Sequence, residues 1–260
     1  MNGDIGFVGL AISTVLVAVA LLISVSQGLG LERSIAWACL RALVQLLLVG
    51  LALDVVMNPG RSLIWSWVWV VAMVVFAAVT TARRAREVPG VLGLSMIAYT
   101  LAATLSLGVL LGLGVFDANG RTIVPLAGMV IGNSLAATVL VGRRIVAEFS
   151  EKRPEIEARL ALGQTTREAG HPYLRAAVRT ALIPQIETTK ATGIVFLPGA
   201  MVGLILAGVE PLDAVKVQVA VMYLVLGSVA TTTSVVALGL SRRLFTADER
   251  LVRIARTTEG

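Results

Sequence analysis

The stretch VLGLSMIAYTLAATLSLGVLLGLGVF, residues 91–116, runs for 26 positions without a charged side chain. A helix needs about 20 apolar residues to cross the roughly 30 Å of a bilayer's hydrocarbon, so this stretch predicts a transmembrane helix. Six further stretches have similar length and composition, at 5–26, 35–55, 63–81, 123–141, 192–208 and 217–240. The sequence therefore predicts an all-α, polytopic membrane protein with seven transmembrane helices.

Basic residues are distributed unevenly among the connections between these stretches. One set of alternate connections holds most of them: Arg33, Arg83, Arg84, Arg86, the run 143–190 and the run 242–256. The opposite set holds only Arg61, Arg121 and Lys216. Because basic loops stay on the cytoplasmic side of the membrane, we expect the N-terminus outside and the C-terminus in the cytoplasm.

Composition supports a membrane protein and argues against other classes. Hydrophobic residues make up 57% of the chain, and the mean hydropathy is +0.86, far above that of soluble domains. Cytoplasmic loops account for the net charge of +6, so we expect no binding to nucleic acid. The first stretch follows no basic segment and is too long for a signal-peptide core, which favours a retained span.

The chain is predicted to be one transmembrane domain, 1–260, with a large cytoplasmic connection at about 142–191 and a short cytoplasmic tail at about 241–260. The connection is predicted to contain an extension of the fifth span at 143–149, a short helix beginning near Pro154, and a helix at 174–182. Ile156, Leu160 and Ala161 share one face of the short helix, which makes it amphipathic. Such a helix either docks on a partner or lies on the membrane surface.

Several polar side chains fall within the predicted spans or at their ends. They are Arg41, Gln45, Asn133, Ser134, Glu187, Lys190 and Gln218. An ionisable group in hydrocarbon is costly unless paired or hydrated, which makes these residues candidates for a translocation pathway. For Arg41, one turn from Gln45, a counter-ion role and a substrate-facing role both stay open. The spacing of Glu187 and Lys190 favours a structural salt bridge.

Two prolines bracket the start of the sixth predicted span. They are Pro184 and Pro198, and Pro198 is followed by Gly199. Proline interrupts helical hydrogen bonding, so these three residues are candidates for a hinge, with a static kink as the alternative. Methionine sulfur could bind a metal in transit, although methionine more often fills gaps in a core. The candidate metal ligands are Met129, Met201 and Met222.

Motifs for ATP hydrolysis and for other enzymatic chemistry are missing from the sequence. A P-loop requires Gly-Lys, but the three lysines follow Glu151, Thr189 and Val215. The sequence also lacks the Gly-x-Ser-x-Gly and His-Glu-x-x-His motifs of hydrolases and metalloproteases. We therefore expect no enzymatic activity in this chain, and if ATP drives it, another subunit binds the nucleotide.

Four segments resemble one family of transport proteins. TTKATGIVFLPGAM at 188–201 and VGLILAGVEPLDAVKVQ at 202–218 are similar to the signature of the FetB-type permeases, as are GMVIGNS at 128–134 and RALVQL at 41–46. These permeases are membrane subunits of bacterial ABC transporters associated with iron export, with relatives among plant aluminium-tolerance permeases. The resemblance covers nearly the whole chain.

The resemblance also suggests a role for the large connection. EARLALG at 157–163 resembles the start of the coupling loop of ABC permeases, and Ile183-Pro184 stands where that loop closes. Arg159 and a longer spacer before Pro184 depart from the pattern. The resemblance implies that the residues contacting an ATPase are Glu157, Ala158, Gly163, Thr165, Arg167 and Glu168.

The family implies a permease subunit that pairs with a second copy of itself and with two cytoplasmic ABC ATPases. ATP and Mg²⁺ would bind to the ATPases, with no cofactor on this chain. The expected function is ATP-driven iron export from the cell across the inner, or plasma, membrane. Export of an organic or nucleotide-sugar solute is the alternative within this class. Outside it, an ion-coupled transporter using Glu187 and a membrane-anchored scaffold stay open.

Overall fold

The structure is a computed structural model that describes residues 7–56, 62–246 and 248–252. Arg61, Arg256 and the end of the predicted tail lie outside these residues. The described residues form nine α-helices, with no strand beyond two isolated bridges. The helices are α1 (Phe7–Ser26), α2 (Glu32–Val56), α3 (Ile64–Arg84), α4 (Val91–Gly112), α5 (Gly120–Glu151), α6 (Arg153–Ala161), α7 (Thr166–Ala191), α8 (Gly199–Leu206) and α9 (Pro211–Arg243).

Five of these helices are long and apolar enough to cross a membrane. They are α2, α3, α4, α5 and α9, and they coincide with five of the predicted spans. The first predicted span is also helical, as α1, with the apolar stretch Thr14–Ser26 among its described residues. The prediction of an all-α, multi-pass membrane protein is confirmed, whereas the count of seven spans and the orientation stay predictions.

The sixth predicted span, 192–208, is wrong as a continuous helix. Helix α7 ends at Ala191, and α8 begins only at Gly199. Gly193 has φ +89°, a left-handed conformation that stops the helix, and its N–H donates to the Phe196 carbonyl at 2.9 Å. Pro198 then disfavours helical geometry at the residue before it. The sixth predicted span therefore consists of a turn after α7 followed by one short helix, α8.

The predicted connection at 142–191 is almost entirely helical. Helix α5 continues to Glu151, as expected, and the predicted short helix near Pro154 is α6. The helix expected at 174–182 is only the middle of α7, which is 26 residues long and contains Pro172 and Pro184. Buried residues at four-residue spacing give α7 one packed face: Ala169, Tyr173, Ala177 and Ala181.

Two buried clusters divide the bundle into two ends. One joins the end of α3, the start of α4 and the later parts of α5 and α9 with α6 and α7, and includes Val91, Ile145 and Leu240. The other joins the opposite parts of α3, α4, α5 and α9 and includes Leu107 and Ile123. Arginines from the ends of α3, α5 and α9 thus lie at the end of the bundle that carries α6, which we call the basic end.

Helices α1 and α2 form a hairpin beside this bundle. The Ser24 hydroxyl donates to the Glu32 carboxylate at 2.7 Å across their connection. None of the most apolar 18-residue window of α2 is buried. This window of α2 therefore contributes nothing to the core, and its apolar side chains, such as Leu46 and Leu51, are exposed.

Candidate functional site

The turn between α6 and α7 extends from the basic end of the bundle. Leu162 follows the last residue of α6 and is 84% exposed. Gly163 has φ +85°, which reverses the chain without the strain that a side chain would add. The turn therefore presents an apolar side chain at its apex.

The start of α7 is closed by a capping box. The Thr165 hydroxyl accepts from the Glu168 backbone N–H at 3.3 Å, and the Glu168 carboxylate accepts from the Thr165 backbone N–H at 3.0 Å. Hydrogen bonds from the backbone and hydroxyl of Thr165 hold the pKa of Glu168 below its usual value. Thr165 and Glu168 thus fix where α7 begins, while Arg167 between them is exposed.

Helix α6 is anchored on α5 and α7 by one apolar and one polar contact region. Ile156 is fully buried in the cluster at the basic end. The Tyr173 hydroxyl donates to Glu155 at 3.0 Å, and Lys152 pairs with the same carboxylate at 3.0 Å. The hydrogen bonds from Lys152 and Tyr173 lower the pKa of Glu155, and burial raises the pKa of Tyr173. The orientation of α6 is therefore fixed in the chain alone.

Two predicted ATPase-contacting residues on α6 differ in availability. The Glu157 carboxylate accepts from Arg153 Nε at 2.7 Å, within α6 itself. Ala158 is exposed. Glu157 therefore already has a partner in the chain, whereas Ala158 is open to contact.

A groove of about 880 Å³ runs between α7 and α9. Its lining includes a row of basic side chains at four-residue spacing on α7, namely His171, Arg175 and Arg179. Leu182 and Ala237 are among its apolar lining residues. Within the described residues, no carboxylate lies within ion-pair distance of Arg175 or Arg179. The ion pairs found there join Arg143 to Glu87, Arg144 to Glu148, Lys152 to Glu155, Arg153 to Glu157, Lys190 to Glu187, and Lys216 to Asp213. We call this surface the α7–α9 groove.

The other end of the α7–α9 groove holds Glu187 and Lys190. Lys190 Nζ lies 2.9 Å from Glu187 Oε1, and both side chains are exposed. The ion pair predicted from their spacing is confirmed.

The other predicted pathway residues do not converge in this chain. Arg41 and Gln45 are exposed on α2. Asn133 is exposed and donates to the Met129 carbonyl at 2.8 Å, whereas Ser134 is buried and donates to Ser228 of α9 at 3.2 Å. Gln218 is buried on α9, and its side-chain oxygen has no hydrogen-bond partner among the described residues. Three of these residues are thus exposed, on α2 and α5, and the other two are buried.

The candidate metal ligands and hinge residues lie on different helices. The three methionines are partly buried on α5, α8 and α9: Met129, Met201 and Met222. Among the described residues, no group of three or more histidine, cysteine, aspartate or glutamate side chains could hold a metal ion. Pro184 lies inside α7, while Pro198 and Gly199 mark the start of α8.

Sequence reasoning did not identify Leu162, Arg175 or Arg179. The i, i+4 spacing of His171, Arg175 and Arg179 was a visible signal for a basic helix face. Leu162 lacked such a signal, because its exposure depends on where α6 ends and how the turn projects.

Comparison with known proteins places this arrangement in a family. The model of the UPF0014 family, described as an uncharacterised protein family, matches residues 7–245. The chain belongs to the UPF0014 family. Its relatives include the probable iron export permease protein FetB of Escherichia coli (strain K12), 32% identical over 251 residues, covering 94% of this chain and 93% of the relative. The family resemblance found in the sequence is confirmed.

Plant members of the UPF0014 family are similarly close. UPF0014 membrane protein STAR2 of Oryza sativa subsp. japonica is 33% identical over 86% of this chain and 78% of its own length. Protein ALUMINUM SENSITIVE 3 of Arabidopsis thaliana is 34% identical over 88% of this chain and 84% of its own length. No solved structure matches the chain. These relatives support a membrane permease rather than an enzyme.

Proposed function

We propose that this UPF0014 protein is the membrane subunit of an ABC exporter in the inner, or plasma, membrane. Two copies of the chain pair with each other and with two cytoplasmic ATPases, which bind ATP and Mg²⁺. Iron is the cargo suggested by the name of the Escherichia coli relative. The basic end, with α6 and the α6–α7 turn, then faces the cytoplasm, in agreement with the distribution of arginine and lysine.

The observation that carries this proposal is the exposed Leu162 on a turn fixed by Gly163 and the capping box. Covering a leucine side chain removes apolar surface from water and contributes about 2 kcal/mol, which suits an anchor in a protein interface. The turn is held by α6 and α7, and α7 lines the α7–α9 groove. Displacement of the turn by an ATPase would therefore move a wall of this groove.

The docking role is tested by Leu162→Asp. Each candidate ABC ATPase of the same genome is co-expressed with the tagged chain, and its co-purification is measured. We expect that the ATPase that co-purifies with the unaltered chain no longer co-purifies with Leu162→Asp, because a carboxylate cannot be buried in an apolar pocket without a partner. Leu113→Asp is the matched control, since Leu113 is exposed and precedes a positive-φ glycine, Gly114, outside α6 and α7. Undiminished ATPase binding by Leu162→Asp would contradict the proposal.

Transport is tested in proteoliposomes with the ATPase on the outer surface. An exporter moves cargo away from the ATPase side, so ATP should drive iron from the bath into the lumen. Vesicles with Mg²⁺ but no ATP provide the background. Accumulation without ATP or ATPase would instead support an ion-coupled transporter.

Export of an organic anion is a second candidate function, favoured by the α7–α9 groove. Arg175 and Arg179 offer unpaired positive charge beside apolar walls, a combination suited to an amphipathic anion rather than a bare cation. In the same vesicles, ATP-dependent uptake of a nucleotide sugar in preference to iron would support this function. Loss of that uptake in Arg175→Gln/Arg179→Gln would assign it to the groove.

A further inference from the structure

The segment after α9 folds back on the basic end of the bundle. Residues 244–246 and 248–252, which we call the C-terminal strap, contain an antiparallel bridge between Phe245 and Leu251. The Val252 N–H donates to the Leu244 carbonyl at 2.9 Å, and the Thr246 N–H donates to the Arg250 carbonyl at 2.8 Å. The strap is thus a hydrogen-bonded continuation of α9.

Aromatic packing fixes the strap against α5 and α7. The Phe245 ring meets the Phe149 ring edge-on, with centroids 5.9 Å apart, and Phe149 meets Tyr173 in the same way at 6.2 Å. Gly170 leaves room for this stack, because a Cβ there would lie 3.1 Å from Phe149 and 3.3 Å from Phe245. The strap therefore has one defined position on the bundle.

Arg153, the first residue of α6, joins the strap to α6. Its guanidinium donates from Nη2 to the Leu251 carbonyl at 2.9 Å and from Nη1 to the Val252 carbonyl at 3.3 Å. Its Nε donates to Glu157 at 2.7 Å, which orients the planar group. Lysine has one nitrogen on a flexible stem and cannot reproduce this three-way geometry.

We propose that Arg153 is a positioning residue that transmits movement of α6 through the C-terminal strap to α9. Helix α9 forms one wall of the α7–α9 groove with Ser234, Ala237 and Leu238. Movement of α6 can therefore displace the groove in two ways: through α7, which follows α6 in the chain, and through the strap and α9. This inference rests on the proposed function, in which an ATPase displaces α6.

The test measures cargo transported per ATP hydrolysed by the assembled complex in proteoliposomes. In Arg153→Ala the ATPase still co-purifies, because Leu162 is unchanged, but transport per ATP falls about five- to tenfold. Arg153→Lys and Glu157→Gln give intermediate losses, because each preserves part of the hydrogen bonding. Arg144→Ala is the matched control, since Arg144 pairs with Glu148 within α5 and its ion pair involves neither α6 nor the strap.

Unchanged transport per ATP in Arg153→Ala overturns the inference. If that variant does not fold, unchanged transport per ATP in both Arg153→Lys and Glu157→Gln overturns it. A wild-type chain that binds no ATPase overturns the proposed function instead.

A second readout requires no ATPase. A nitroxide is attached at Ala161→Cys after the native cysteine is removed by Cys39→Ser, and its motion is followed by electron paramagnetic resonance. We expect at least twofold faster motion when Arg153→Ala is added, and no change when Arg144→Ala is added, because Arg144 pairs with Glu148 within α5. Equal label motion in the two variants overturns the link between α6 and the strap.

Discussion

At the scale of single residues, the start of α7 depends on Thr165 and Glu168. The side chain of each accepts a hydrogen bond from the backbone N–H of the other. Thr165→Ala removes one acceptor of the capping box and should destabilise the first turn of α7 by about 1 kcal/mol. Hydrogen exchange of the amides at 166–170, measured in detergent, reports this change as faster exchange. Thr166→Ala is the control, because the capping hydrogen bonds involve Thr165 and Glu168 only. Equal exchange in the two variants would contradict the assignment.

The same capping box predicts a pH dependence. The pKa of Glu168 is lowered in the folded chain, so its stabilising contribution is present above the usual carboxyl pKa, roughly 4. The contribution is lost as the pH falls through the lowered folded value. Exchange at 166–170, corrected for the intrinsic effect of pH, should therefore show a constant opening free energy from pH 5 to 8. A loss of protection within that interval would contradict this account.

At the scale of helices, most glycines in the GxxxG pairs of the sequence, at 108/112, 128/132 and 199/203, do not mark close helix contacts. An added Cβ at Gly108, Gly132 or Gly203 meets nothing within 4 Å. At Gly239 of α9 it would overlap the side chain of Leu94 on α4. The close crossing of α4 and α9 is thus set by one glycine outside any such pair.

Gly239→Ala should destabilise the bundle, because Leu94 is buried and must leave its rotamer. Overpacking of this kind costs typically 1–3 kcal/mol, which lowers the thermal midpoint in detergent by several degrees. Gly132→Ala is the matched control and should leave the midpoint unchanged or raise it, since helices favour alanine over glycine. A midpoint for Gly239→Ala equal to that of the control would show that α4 and α9 do not cross closely here.

Hydropathy was sufficient to predict most of the long helices, and Pro154 indicated where α6 begins. Hydropathy could not show that α7 ends at Ala191, because apolar composition continues through a backbone reversal at Gly193. Proline and charge in 166–191 indicated shorter helices, but burial of one face, including Tyr173, stabilises a single long helix. The strap could not be predicted either, since Arg153 and Val252 are 99 residues apart and no periodicity connects them.

At the scale of the whole molecule, polar groups lie on surfaces that would face lipid in a single copy. Arg41 is exposed on α2, and the Glu187–Lys190 pair is exposed near the end of α7. Placing such groups in contact with hydrocarbon costs several kcal/mol. They must therefore lie at a protein interface or beside an aqueous pathway. Either a homodimer interface or the translocation pathway would meet this requirement.

The contrast between the two ends of the bundle predicts its orientation in the membrane. Arg84, Arg143 and Arg243 lie at the end that carries α6, whereas Arg121 and Lys216 are the basic residues near the starts of α5 and α9. Because positive charge is retained on the cytoplasmic side, the connection between α4 and α5 should face outward. Single cysteines test this orientation once Cys39 has been replaced by serine.

In intact cells, a membrane-impermeant thiol reagent should label Ala118→Cys, which is exposed in the α4–α5 connection. Ala161→Cys, exposed on α6, should react only after permeabilisation. Both positions replace an exposed alanine, so a difference in labelling reports the side of the membrane rather than burial. Labelling of position 161 in intact cells would place the α6–α7 turn outside the cell, where no ATP is available. An ATP-driven exporter coupled through Leu162 and Arg153 would then be physically impossible.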